Sequence, residues 1–124
     1  MKRFNLRQSL SLIAMLGVLA FSHQAMAHAH LKTANPAEDA EVAAPDRLAL
    51  TFTEGLELAF SGIELSDGDG NAVVLGNATL ENDDMTPTAP VETPLEPGRY
   101  DVKWHVLSVD GHKTEGDYAF VVAP

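Results

Sequence analysis

The chain has 124 residues, no cysteine, and eighteen acids against eight lysines and arginines, for a formal net charge of −10. Without cysteine there is no thiolate chemistry and no disulfide to support the fold. The acidic balance argues against nucleic acid and anionic membrane as partners, because their phosphates would be repelled.

In chain order, the first segment is MKRFNLRQS, with Lys2, Arg3 and Arg7 and no acid. LSLIAMLGVLAF follows, twelve residues from Leu10 to Phe21 with Ser11 as the one polar member, and the region closes on Ala25-Met26-Ala27. A membrane anchor needs about 20 apolar residues to cross a hydrocarbon core of about 30 Å, and this run is shorter. Basic head, short apolar run and small-x-small ending predict that residues 1–27 are a secretory signal peptide, cut at Ala27–His28. The mature chain, residues 28–124, then begins His28-Ala29-His30 with a free α-amine on His28. It keeps five of the eight basic residues and all eighteen acids, a formal charge of −13. Its length fits one small domain with a modest core and no room for a deep catalytic cleft under lids.

The mature sequence then reads as strands and turns. Leu48, Leu50 and Phe52 alternate in RLALTFT, and Ile63 and Leu65 alternate in SGIELSD. A turn at Asp67-Gly68-Asp69-Gly70-Asn71 precedes a short apolar run, Ala72 to Leu75. Period-two patterning bounded by Gly, Asp and Asn predicts half-buried strands. ENDDMTPTAPVETP, Glu81–Pro94, is acidic and proline-rich and reads as a long loop or irregular edge. After Pro97-Gly98, RYDVKWHV puts Tyr100, Val102, Trp104 and Val106 on one face, and GDYAFVVA does the same with Tyr118, Phe120 and Val122. These faces should supply much of the core. About seven short strands in this length predict an all-β domain, a small antiparallel Greek-key sandwich or barrel.

Between the last two strands lies SVDGHKTEG. Asp110 and His112 are two positions apart, so in extended backbone both side chains point to one side. The competing reading is an Asp-Gly hairpin turn with a solvated histidine beside it. Joined to an N-terminal histidine, these residues gain a chemical logic. Cu(II) prefers tetragonal arrangements of nitrogen and oxygen donors and heads the divalent affinity series. The α-amine and imidazole of His28 can chelate one ion, with a third nitrogen from His112 and an oxygen from Asp110. An α-amine titrates near pH 7.7–8.0 in general, so a metal displaces its proton at neutral pH with little penalty.

At this point the sequence resembles the CopC family of periplasmic copper-binding proteins, and closely its YobA-type branch. The resemblance runs over essentially all of residues 28–124 and rests on HAHLKTANPA, on AAPDRLALTFTEGLE followed by FSG, and on PGRYDVKWHVLSVDGHKTEGDYAF. It implies a CopC-type Greek-key fold, also classed as immunoglobulin-like. It further implies one Cu(II) ion per mature chain held by a mature N-terminal histidine, an aspartate and a later histidine. By motif these fall on His28, Asp110 and His112. The implied role is copper homeostasis or resistance in the periplasm, buffering or delivering Cu(II), with an inner-membrane transporter of the CopD type as partner. Some members add a methionine-rich Cu(I) site. Here Met1, Met15 and Met26 fall within the signal peptide and only Met85 remains, and one thioether does not build a soft Cu(I) cage.

His30 completes an amine-x-His sequence, which in flexible peptides wraps Cu(II) with the amine, two deprotonated amides and an imidazole. That mode needs free amides, and a strand at Leu31–Thr33 opposes it. His30 is left open, as a ligand or as a neighbour of the site. His105 is read as a strand-surface or packing histidine, and Glu115 as a solvated acid. Two other functions compete. An N-terminal-histidine copper oxidase of the polysaccharide monooxygenase type would need an open coordination position and an aromatic binding surface. Of the six mature aromatics, Phe52, Phe60, Tyr100, Trp104, Tyr118 and Phe120, most read as core. A metal-free secreted β-sandwich interaction module is the other alternative. The expectation is a monomer that is not an enzyme and has no nucleic-acid or polysaccharide partner.

Overall fold

The computed structural model describes residues 29–124; the predicted signal peptide and His28 lie outside the described residues. Two β-sheets pack face to face. One has the strand order β1-β3-β7-β6, with β1 Leu31–Asn35, β3 Arg47–Phe52, β6 Thr79–Glu81 and β7 Thr86–Pro90. The other has the order β2-β9-β8-β4-β5, with β2 Glu41–Val42, β4 Gly62–Asp67, β5 Ala72–Val73, β8 Gly98–Leu107 and β9 Lys113–Val122. The predicted all-β sandwich is present. The described residues form nine strands where about seven were expected, and β2 and β5 have two residues each. Pairing is antiparallel except between β2 and β9, where Glu41 and Val42 run parallel to Val121 and Val122.

The alternating stretches place the core where the sequence does. Leu48, Leu50 and Phe52 of β3 are buried against Leu65 of β4, Tyr100, Val102 and Val106 of β8, and Tyr118, Phe120 and Val122 of β9. Tyr100 stacks on Phe120 with ring centroids 5.7 Å apart. Phe52 meets Trp104 edge to face at 5.0 Å, which ties the two sheets together near the end that carries the β8–β9 hairpin. The Tyr100 hydroxyl donates to the Glu96 carbonyl at 2.7 Å, a tyrosine-corner arrangement of the kind found in immunoglobulin-like sandwiches. Trp104 lies over Gly116 on the neighbouring strand, where a Cβ would come within 2.5 Å of the indole. Phe60 is the exposed one among the six mature aromatics, 66% exposed on a short 3-10 turn at Leu58–Phe60.

The stretch read as a loop at Glu81–Pro94 contains an internal strand instead. In β7, Thr86, Pro87, Thr88 and Ala89 are all buried, and the strand pairs with β3 on one side and β6 on the other. Proline lacks an N–H and normally disqualifies an inner strand. Here the ladders are short, and Pro90 at the strand end serves as an acceptor, its carbonyl taking the Gly76 N–H at 2.7 Å. The acidic part of the stretch is a turn. Asn82, Asp83 and Asp84 have φ of 53, 57 and 62°, the left-handed region that Asn and Asp tolerate better than most residues.

Candidate metal centre

The β8–β9 ladder runs from Gly98↔Val122 to Leu107↔Lys113 and closes through Ser108–His112. Gly111 donates its N–H to the Ser108 carbonyl at 2.9 Å, and Ser108 donates its own to the His112 carbonyl at 2.9 Å. Gly111 has φ of 90°. This is a three-residue hairpin loop with glycine at the left-handed position. Asp110 and His112 are therefore not on extended backbone. They meet because the turn folds Asp110 back towards His112. The turn reading and the proximity reading both hold.

His112 Nδ1 approaches Asp110 Oδ1 to 3.1 Å, with the two side chains 48% and 38% exposed. The same carboxylate oxygen accepts the His112 amide at 3.3 Å and the Ser108 hydroxyl. The Ser108 hydroxyl first, and the His112 imidazole second, hold the Asp110 carboxyl down at about 2, from an ordinary value of 3.8. Hydrogen bonds donated to a carboxylate favour its charged form. The imidazole takes part through Nδ1, donating to the carboxylate. Ser108 is 1% exposed and buttresses the turn from within. Its role was not read from the sequence, although a serine two residues before an aspartate in S-x-D-G is a local turn signal.

His30 is exposed, but its backbone is engaged. Its N–H donates to Thr53 Oγ1 at 2.9 Å, and its carbonyl accepts the Thr53 N–H at 2.9 Å. Ala29 is fully buried, and its carbonyl accepts the Thr114 hydroxyl at 2.9 Å. The residue that follows His28 in the chain is thus fastened two positions beyond His112 on β9. His105 is exposed on β8, with its ring against Gly62 and Glu115 opposite in the ladder, as a strand-surface histidine. Among the described residues, no group of three or more His, Asp or Glu side chains gathers in a metal-binding cluster. The donors that are described, one imidazole and one ionised carboxylate at the surface, suit a borderline cation that takes nitrogen and oxygen.

A family model, CopC domain, matches residues 31–123. The chain is 41% identical over 112 residues to Protein YobA of Escherichia coli strain K12, covering 89% of this chain and 90% of that one. Among solved structures it resembles CopC from Methylosinus trichosporium OB3b, with TM-score 0.72 and 39% identity over 78% of this chain and 95% of that one. It also resembles PcoC, a methionine-rich copper resistance protein from Escherichia coli, with TM-score 0.71 and 32% identity over 78% of this chain and all of the other.

Proposed function

The chain belongs to the CopC family, and from that premise we propose that it is a periplasmic Cu(II)-binding protein that buffers or delivers copper. The family consists of copper-resistance proteins and not enzymes, so a copper-related, non-catalytic role is its coarse function. The finer reading rests mainly on one observation: Asp110 and His112 stand 3.1 Å apart at the surface, on a turn built to hold them. One Cu(II) ion takes an imidazole nitrogen of His112, an oxygen of Asp110, and the α-amine and imidazole of His28 after cleavage of residues 1–27.

Asp110 serves this site in two ways. The three contacts described above all fall on Oδ1, so that oxygen orients His112 while Oδ2 is the one offered to the ion. A carboxyl with its pKa near 2 stays charged throughout the neutral and mildly acidic range. It therefore needs no proton removed when copper arrives. His30 is assigned no bond to the metal, because the amide its amine-x-His mode must deprotonate is already donated to Thr53. The carrier acts as a monomer, and an inner-membrane transporter of the CopD type is the partner proposed for it.

The test is a Cu(II) titration of the processed protein followed by electron paramagnetic resonance, with His112→Ala and Asp110→Ala beside it. One equivalent of copper with a nitrogen-rich donor set is expected. His112→Ala should weaken binding by at least about 10–100-fold, the range seen for loss of supporting residues alone. Asp110→Ala should cost less, since water can replace an oxygen donor. Equal affinity in wild type and His112→Ala would refute the site.

A further inference from the structure

A metal site that uses the first residue of a chain has a mechanical problem. Chain ends fray unless they are tied down, and a frayed amine spends most of its time away from the other ligands. Two threonines meet this need here. We propose that Thr53 and Thr114 are positioning residues that clasp Ala29 and His30 beside the Asp110–His112 turn and so keep the amino end of the mature chain close to it. The proposal rests on the copper site argued above.

The clasp has two points. Thr114 Oγ1–H donates to the Ala29 carbonyl at 2.9 Å, across 85 residues of sequence. Thr53 engages His30 twice, its Oγ1 accepting the His30 N–H at 2.9 Å and its own N–H donating to the His30 carbonyl at 2.9 Å. Between them the Ala29 side chain is fully buried in the core cluster. Ala29 and His30 are therefore held by three hydrogen bonds and one buried methyl group.

Both clasp points are rigidly connected to the donors they serve. Thr114 is two residues after His112 on β9. Thr53 opens a loop that is itself bonded to the hairpin: Val109 N–H donates to the Gly55 carbonyl at 3.0 Å, and Glu57 N–H to the Leu107 carbonyl at 2.8 Å. Leu56 and Ser108 form a β-bridge between the same segments. Ala29 and His30, the Thr53 loop and the Asp110–His112 turn thus form one hydrogen-bonded assembly. Thr53 is exposed and buries little apolar surface, so packing does not account for its identity. Its hydroxyl is the group the arrangement uses.

The experiment compares Thr53→Val, Thr114→Val, Thr53→Ser and Thr114→Ser in the processed chain, with His112→Ala as control. Valine keeps the shape and strand preference of threonine but not its hydroxyl; serine keeps the hydroxyl. In metal-free protein, amide hydrogen exchange at His30 should speed up by at least about tenfold in Thr53→Val, as an amide without its acceptor becomes solvent-accessible. Cu(II) affinity should fall about tenfold in each valine variant, the low end of the range for residues that orient ligands. The resonance spectrum should broaden as the donor geometry loosens. Each serine variant should restore affinity, exchange and spectrum.

Valine variants that bind copper as tightly as wild type would overturn the clasp, as would serine variants that lose as much as valine. Should Thr114→Val fail to fold, Thr53→Val decides, and unchanged His30 exchange and affinity there overturn the proposal. The control separates the two levels. If His112→Ala retains full affinity, the copper site itself is wrong. If His112→Ala loses copper while both valine variants keep it, the site stands and the clasp falls.

Discussion

Replacing Ser108 by alanine removes one hydroxyl from a side chain that is 1% exposed, and its consequences can be worked through the turn. The hydroxyl donates to Asp110 Oδ1 and accepts the His112 N–H at 3.3 Å. It is the largest cause of the depressed Asp110 pKa, so Ser108→Ala should move that pKa from about 2 upward towards 3.8, while the His112 contacts hold it partly down. Since the carboxyl has a lower pKa folded than unfolded, its ionised form favours the fold above about pH 3.8. That contribution is lost as pH falls through about 2. In the variant the loss should still begin near pH 3.8 but be complete at a higher pH, and be smaller in total. Independently of pH, one intramolecular hydrogen bond contributes about 1 kcal/mol net, which for a domain of this size shifts the melting temperature by about 4–8 °C. Carbon-13 NMR of the Asp110 carboxyl across pH 1–6 reads the pKa directly, and thermal melts at pH 7 read the stability. An Asp110 carboxyl that still titrates near 2 in Ser108→Ala would refute the assignment of the hydroxyl as its main support.

Tyr118 is the second group with a readable titration. Burial pushes its phenol up to about 12 from 10.0, and its hydroxyl is buried with no hydrogen-bond partner among the described residues. The neutral phenol therefore stabilises the fold fully below pH 10, and this is lost as pH rises through about 12. Tyr118→Phe should abolish that component of the alkaline decline in denaturation experiments. At pH 7 it should leave stability unchanged or raise it by up to about 1 kcal/mol, since an unpaired buried hydroxyl costs free energy. His30→Ala should leave Cu(II) affinity within about threefold of wild type, below the ~10–100-fold that loss of an orienting residue accounts for, because its amide is committed to Thr53 and its imidazole is assigned no bond to the metal. A loss as large as that of His112→Ala would restore the amine-x-His mode.

The strands most legible in the sequence are those whose alternation is uninterrupted. Leu48-x-Leu50-x-Phe52 became β3, and the Tyr100 and Tyr118 faces became the inner faces of β8 and β9. β7 was hidden by its composition: TPTAP carries two prolines and two threonines, and nothing local marks it as buried between two partners. β2 and β5, at two residues each, are too short to show a period. The proximity of Asp110 and His112 was legible because residues two apart in sequence stay close on a turn. Thr53 and Thr114 were not, because their bonds to residues 30 and 29 cross 23 and 85 positions and side chain-to-backbone contacts leave no residue pattern. Ser108 lay between, part of a turn signature whose second role, donation to the Asp110 carboxylate, appears only in three dimensions.

The central claim is that the α-amine of His28 is a copper ligand, so that cleavage completes the site. It is tested most directly by measuring Cu(II) affinity for the processed protein and for the same chain carrying one extra glycine before His28. The extension turns an amine into a peptide nitrogen, a far poorer donor at neutral pH, and leaves His112, Asp110 and the fold untouched. Binding weaker by more than about 100-fold, beyond the ~10–100-fold that loss of an orienting residue accounts for, with an unchanged thermal melt of the metal-free protein, is the predicted result. Equal affinity in the two proteins would contradict the account.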